Sequence, residues 1–192
     1  MTDWPVPLRG VTESIITTEG PNGRWNAAAL GLHAGDVVTA ETWGHTRTRR
    51  NFERTGVGYV HFTRDARLFV EAALGVHETD EPALPSADAR VRVDVERREA
   101  GKRDGTPWAS WALHPTAVAV DEERVPLTNR GFAAVVEATV AASRIGVEAY
   151  DDDVLRRRLD HATAVARRCG GPAEHDAIDR VHEHVEGARS DG

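Results

Sequence analysis

Three strand-like runs cut short by dense turn clusters fill residues 11–43, and that spacing constrains the fold more than any other feature of the chain. The run VTESIITT (11–18) stops at Glu19-Gly20-Pro21-Asn22-Gly23, where glycine, proline and asparagine favour a tight reversal over continued extension. WNAAALGLH (25–33) follows and stops at Ala34-Gly35-Asp36, and VVTAETW (37–43) resumes beyond it. Two hairpins in about thirty residues are the signature of an antiparallel meander, because connections this short join only antiparallel neighbours.

Three more runs extend the pattern. VGYVHFT (57–63) is a fourth strand, and RVRVDVER (90–97) alternates strictly, with Val91, Val93 and Val95 on one face. After the turn GKRDGTP, the run WASWALHPTAVAV (108–120) is a sixth strand region that Pro115 threatens to break. Six antiparallel strands of this length close most simply into a small barrel. Between them, residues 49–55 read as a short helix stopped by Gly56. Residues 64–74 have helical spacing, with Leu68, Ala72 and Ala73 on one side and Thr63 as the expected cap. Residues 75–89 read as an acidic, proline-containing loop.

Beyond about residue 125 the periodicity is helical throughout. Residues 129–146 are alanine-rich and end at Gly146. Residues 151–171 begin in three aspartates and end in two arginines, which matches the helix dipole, and stop at Gly170. A last helix opens with Pro172, a residue suited to the first helical position. The expected organisation is α+β: a barrel over residues 1–125, with short connecting helices, and a C-terminal helical region over 126–192.

The 192 residues suffice for one domain with a substantial core, or for one domain with an appendage. Hydrophobic content of 40% and charged content of 29% describe a soluble globular chain. No apolar run approaches the length of a bilayer span, and residues 1–10 lack the basic flank and apolar core of a signal peptide, so the expectation is a cytoplasmic protein. The single cysteine, Cys169, excludes an internal disulfide framework and a cysteine-based zinc cluster. A net charge of -7 argues against nucleic-acid binding, which rests on phosphate neutralisation. Lys102 is the only lysine, a bias consistent with a high-salt cytoplasm or with a GC-rich genome.

Against that acidic background, TWGHTRTRRNFERTG (42–56) concentrates Arg47, Arg49, Arg50 and Arg54 among Thr46, Thr48 and Asn51. Helix N-termini carry partial positive charge and unpaired N–H donors. Arginine adds a planar fork that matches phosphate oxygens in pairs. The segment therefore reads as a phosphate cradle in which one phosphate uses two of the four arginines and the others face solvent or Glu53. The alternative is a solvated charged helix capped by Thr48. Neither a P-loop nor a Rossmann glycine pattern is present.

ESIITT, NAAALGL, GHTRTRRNF and RDARLFVEAAL, in that order, together with the later NRGFAAVVEATVAASR, resemble an archaeal family of uncharacterised FMN-binding split-barrel proteins. That family is related to the flavin reductase and pyridoxamine-phosphate oxidase barrels. The resemblance implies a six-stranded antiparallel split β-barrel that binds FMN, as a homodimer with flavin near the subunit interface. It implies that Thr17 and Thr18 end the first strand beside the flavin and that Asn26, Ala27 and Ala28 line it. It assigns Thr46, Arg47, Thr48 and Asn51 to the phosphate and ribityl chain. Ala29 stands where the family often has proline.

The chemistry so implied is flavin-mediated hydride or electron transfer, an FMN-dependent oxidoreductase in which the cofactor carries the reaction. No acid–base pair or nucleophile stands out, so no catalytic residue is assigned. Two rivals stay open: a non-catalytic flavin carrier or sensor, and a protein-interaction module without cofactor. His161, His175, His182 and His184 read as solvated surface rather than a metal site, and His45 is a candidate neighbour of the flavin. Cys169 lies at a helix C-terminus, where no dipole activates a thiol. Glu137 and Arg144 read as structural, and Trp108 and Trp111 as core or dimer-interface residues.

Overall fold

The computed structural model describes residues 3–103, 105–125 and 128–190, with side chains to residue 187. Six strands form the barrel: β1 (Val11–Glu19), β2 (Trp25–His33), β3 (Val38–Trp43), β4 (Val57–Thr63), β6 (Ala87–Arg103) and β7 (Thr106–Val120). They pair in the order β1-β4-β6-β7-β3-β2, and β2 returns to β1, so the sheet closes. Every pairing is antiparallel. A three-residue strand, β5 (His77–Thr79), lies outside the closed barrel and pairs with β2. Closure removes the exposed edges that an open sheet would present.

The barrel interior is filled by one face of each strand. Ile16, Leu32, Val60, Val91, Val93 and Trp111 are all buried there, and Val95 packs against them as the alternation of β6 requires. The Trp111 indole N–H donates to the Thr42 hydroxyl at 2.9 Å, which satisfies its one polar atom inside the core. Trp111 is thus a core residue. Trp108, three residues earlier and therefore on the other face of β7, stands beside the half-exposed Trp43, with the Arg103 guanidinium over both rings.

Several expected details shift. The first helix, α1, spans Arg47–Thr55 and is capped by Thr46, whose hydroxyl accepts from the Arg49 N–H at 3.2 Å; Thr48 is buried inside it rather than capping it. Gly56 ends the helix in the left-handed region at φ 64°, which favours glycine. The second helix, α2, spans Ala66–Leu74 and is capped by Asp65, because Thr63 still belongs to β4. β7 runs unbroken through Pro115: a register shift opposite Arg92 and Val93 absorbs the missing donor. The segment 75–89 contains β5 and the start of β6 rather than loop alone.

The chain divides into two compact units. The first, Met1–Thr63 with Val76–Glu123, holds the barrel; the second, Arg64–Gly75 with Arg124–Gly192, is helical and takes in α2. The second unit contains α3 (Arg130–Ala142), α4 (Asp152–Cys169) and α5 (Pro172–Ser190) besides α2. α3 stops before Gly146. The core of this unit alternates alanine with larger residues: Ala134, Ala138, Ala162 and Ala166 let the helix backbones approach, and Val70, Leu155, Leu159 and Ile178 fill the remaining space. Among the described residues no helix is long and apolar enough to cross a membrane.

Candidate functional site

The arginine segment is an amphipathic helix whose two faces do different work. Thr48, Asn51 and Phe52 point inward. Phe52 meets Trp111 edge-on at 5.2 Å, which fixes α1 over one end of the barrel core. Asn51 donates to the Thr18 carbonyl at 3.3 Å and to the Thr18 hydroxyl at 3.0 Å, tying α1 to β1. With that face committed, Arg47, Arg50 and Arg54 fall at i, i+3 and i+7 along one exposed stripe.

The stripe walls a cleft of about 510 Å³, whose other boundaries are the turn Gly20-Pro21-Asn22, Asn26 of β2 and Glu78 of β5. The turn is tight: the Gly20 N–H donates to the Arg24 carbonyl at 2.7 Å, and a Cβ on Gly20 would lie 3.2 Å from that same oxygen. Glu78 sits directly across the β2–β5 pairing from Asn26. Its carboxylate pairs with Arg47 at 2.8 Å. Arg54 donates to the Glu19 carbonyl. The Arg50 guanidinium has no hydrogen-bond or ion-pair partner among the described residues. Three guanidinium groups therefore face one carboxylate, and the cleft has a positive excess inside an acidic protein. Arg49 points elsewhere, to Glu53 at 3.2 Å, and Glu53 is shared with Arg97 at 3.7 Å.

The residues singled out from the sequence gather around this cleft in two layers. Asn26, Arg47 and Asn51 line it. Thr17, Thr18, Ala27 and Thr48 lie behind it, each at most 4% exposed. The β1–β2 register sets Thr18 opposite Asn26, Thr17 opposite Ala27, and Ile16 opposite the half-buried Ala28. The Thr17 hydroxyl is taken up by the Pro82 carbonyl at 2.7 Å, and that of Thr18 by Asn51. Thr46 contributes as the cap that starts α1. His45 is exposed and does not line the cleft.

Sequence reasoning placed Arg50 and Arg54 among four candidate arginines without separating them from Arg49, and it did not bring out Glu78 or Gly20-Pro21-Asn22 as cleft-lining residues. The arginine stripe is visible once the helix starts at Arg47 rather than Arg49. Glu78 left no signal, since a three-residue strand is too short for alternation to register.

One ionisable group of the barrel is strongly perturbed. His61 on β4 is fully buried opposite Ile15, and its Nε2 accepts from the Leu84 N–H at 3.4 Å. Burial lowers its pKa from 6.5 to about 4, so the imidazole is neutral at physiological pH. Among the described residues no group of three metal-capable side chains converges. His175 contacts the Arg167 carbonyl and His182 the Thr163 hydroxyl, each at 3.0 Å.

The donor set suits a phosphate-bearing cofactor. It offers three forked cations, one of them with an unpartnered guanidinium, and three carboxamides, in a cleft of the size that small-molecule sites occupy. The closed antiparallel barrel beside it places the chain among the α+β split-barrel proteins.

The particular family follows from comparison with known proteins. Residues 12–122 match the N-terminal domain of the family described as protein of unknown function (DUF447), and residues 129–183 match its second domain. The chain belongs to this family. Its structure is similar to that of the FMN-bound protein MM1853 from Methanosarcina mazei, of the same family, at 25% identity and a TM-score of 0.77, over 92% of this chain and 96% of that one. Nitrilotriacetate monooxygenase component B from Bacillus cereus is similar at 15% identity and a TM-score of 0.45, over 63% and 74% of the two chains. An FMN-binding protein from Thermus thermophilus is similar at 13% identity and a TM-score of 0.42, over 63% and 80%. The family match agrees with the resemblance read from the sequence.

Proposed function

We propose that this chain binds FMN, with the flavin phosphate held by Arg47, Arg50 and Arg54. The observation that carries the reading is the stripe of three guanidinium groups along α1, facing a single carboxylate across the cleft. The FMN-bound relative, similar over nearly the whole chain, supports it. A phosphomonoester is nearly dianionic at neutral pH. Arg50 is free to take it, and Arg47 exchanges Glu78 for it. The carboxamides of Asn26 and Asn51, which line the same cleft, would hold ribityl hydroxyls. Thr17, Thr18 and Thr48 act from behind the cleft, by fixing β1 and α1, and the small side chains of Ala27 and Ala28 keep the β2 wall low.

Bound flavin would supply hydride or electron transfer, and the reading extends to an oxidoreductase on that ground. This chain's own groups bind and orient; the one acidic side chain lining the cleft, Glu78, is paired with Arg47. The engagement of Glu78 by Arg47, among the described residues, favours a second reading, a flavin carrier or sensor on the same fold. Anaerobic mixing of the loaded protein with NADH or NADPH separates the two: bleaching within the turnover time of an enzyme supports the oxidoreductase. The reading also includes a homodimer, with the Trp43–Trp108 pair as a proposed contact, measured by light scattering.

Competition between FMN and riboflavin tests the phosphate assignment. FMN binding at least a hundredfold tighter is expected, and equal affinities would remove the arginine stripe from the account.

A further inference from the structure

The helical unit carries a second cleft, which shares no residue with the one on the barrel. It is a groove of about 450 Å³ between α3 and α4. Its floor is apolar and low because it is built from Ala133, Ala134 and Ala162, flanked by Val154 and Val165. Val154 is 41% exposed, so apolar surface here meets water. The two helices approach closely at one end: a Cβ on Gly131 would lie 2.5 Å from the Gly170 Cα.

The rim is cationic. Arg130, Arg157, Arg158 and His161 stand around it with one carboxylate, Glu137. Arg158 is engaged by Glu137 at 3.6 Å. The guanidinium groups of Arg130 and Arg157 have no hydrogen-bond or ion-pair partner among the described residues. In a chain of net charge -7, two unneutralised guanidinium groups beside exposed apolar surface define a complement: an apolar tail ending in an anion. The excess of positive charge disfavours pairing of this face with itself, since like charges would meet.

We propose that the groove between α3 and α4 binds a free medium-chain carboxylate. Its tail lies along the alanine floor, and its head is held by Arg157 and Arg130. A guanidinium fork matches a carboxylate in pairs, and the groove volume falls within the range of about 300–1,000 Å³ typical of small-molecule sites.

Calorimetric titration of the full chain with hexanoate, octanoate and decanoate tests this. Saturable one-to-one binding is expected, tightening about fourfold for each added methylene as apolar surface is buried. Decanol, with the same tail and no charge, should bind at least tenfold more weakly to the unaltered protein. Arg130→Glu combined with Arg157→Glu, and separately Ala133→Phe, should each weaken decanoate at least tenfold. All three positions are exposed, so unchanged melting temperatures should accompany the loss. The proposal is overturned by decanoate that fails to saturate, or by variants that bind it unchanged. It is equally overturned by preference for anionic vesicles over free decanoate, or by a molecular mass that doubles with concentration in the unaltered protein and not in Ala133→Phe.

Discussion

Asn51 on α1 donates its carboxamide to both the carbonyl and the hydroxyl of Thr18 on β1, and this one side chain joins the arginine stripe to the barrel wall. Both partners are buried, so neither oxygen of Thr18 has water to fall back on when Asn51 is removed. Asn51→Ala should cost about 1–3 kcal/mol, the penalty for leaving buried polar atoms unpaired. It should also weaken FMN, because α1 loses its fixed position over the cleft. Urea denaturation and a flavin titration on the same variant measure the two effects together.

The arginines of α1 should separate by position rather than by charge. Arg50 faces the cleft without a partner, whereas Arg49 is turned to Glu53. Arg50→Ala should weaken FMN about tenfold, equivalent to about 1.4 kcal/mol. Its folding stability should be unchanged, because its guanidinium makes no hydrogen bond or ion pair among the described residues. Arg49→Ala should leave FMN affinity within twofold of the unaltered protein. A fluorescence titration that ranked Arg49→Ala as the more damaging would reverse the assignment of faces on α1.

His61 makes the barrel acid-sensitive. Its pKa is near 4 in the folded protein and near 6.5 when unfolded, so between these values the unfolded chain binds the extra proton. Stability from this group is fully present above pH 6.5, declines as pH falls towards 4, and is lost below. The total amounts to about 3 kcal/mol. Urea midpoints measured at pH 7 and pH 4.5 should differ by less in His61→Leu than in the unaltered protein. An equal difference in both would place the acid sensitivity in other groups.

Gly131 is where α3 crosses the end of α4, with its α-hydrogens against Gly170. A methyl group there would meet backbone rather than a side chain able to swing aside: Gly170 Cα at 2.5 Å and Gly170 N at 2.9 Å. Gly131→Ala should therefore destabilise the helical unit by about 1–3 kcal/mol, the usual cost of overpacking. Thermal unfolding followed by helical circular dichroism reads this out. A variant as stable as the parent would mean that the two helices separate at little cost.

Much of the barrel is legible in the sequence because its strands are short, apolar and bounded by strong turn residues. Residues 25–33 and 57–63 are strands from end to end, as read. What escaped the sequence has physical reasons. Thr46 and Thr48 offer the same capping hydroxyl, and only the burial of Thr48, Asn51 and Phe52 decides which of them starts the helix. That two-residue difference hides the i, i+3, i+7 spacing of Arg47, Arg50 and Arg54. Asp65 displaces Thr63 as a cap because β4 claims the threonine. Pro115 is tolerated in β7 because a local register shift takes up the missing donor, a tertiary effect that no local pattern contains. The groove between α3 and α4 left no trace beyond alanine content, since alanines in a helix read as propensity rather than as space.

Whether the cleft along α1 holds one FMN by its phosphate is tested by the visible absorption spectrum of the purified chain after incubation with FMN and desalting. It should be made in parallel with a variant carrying Arg47→Ala, Arg50→Ala and Arg54→Ala. The expected result is a yellow protein retaining about one flavin per chain, and a variant that folds normally but emerges colourless. A chain that retains no flavin, or a triple variant that retains as much as the parent, would contradict it.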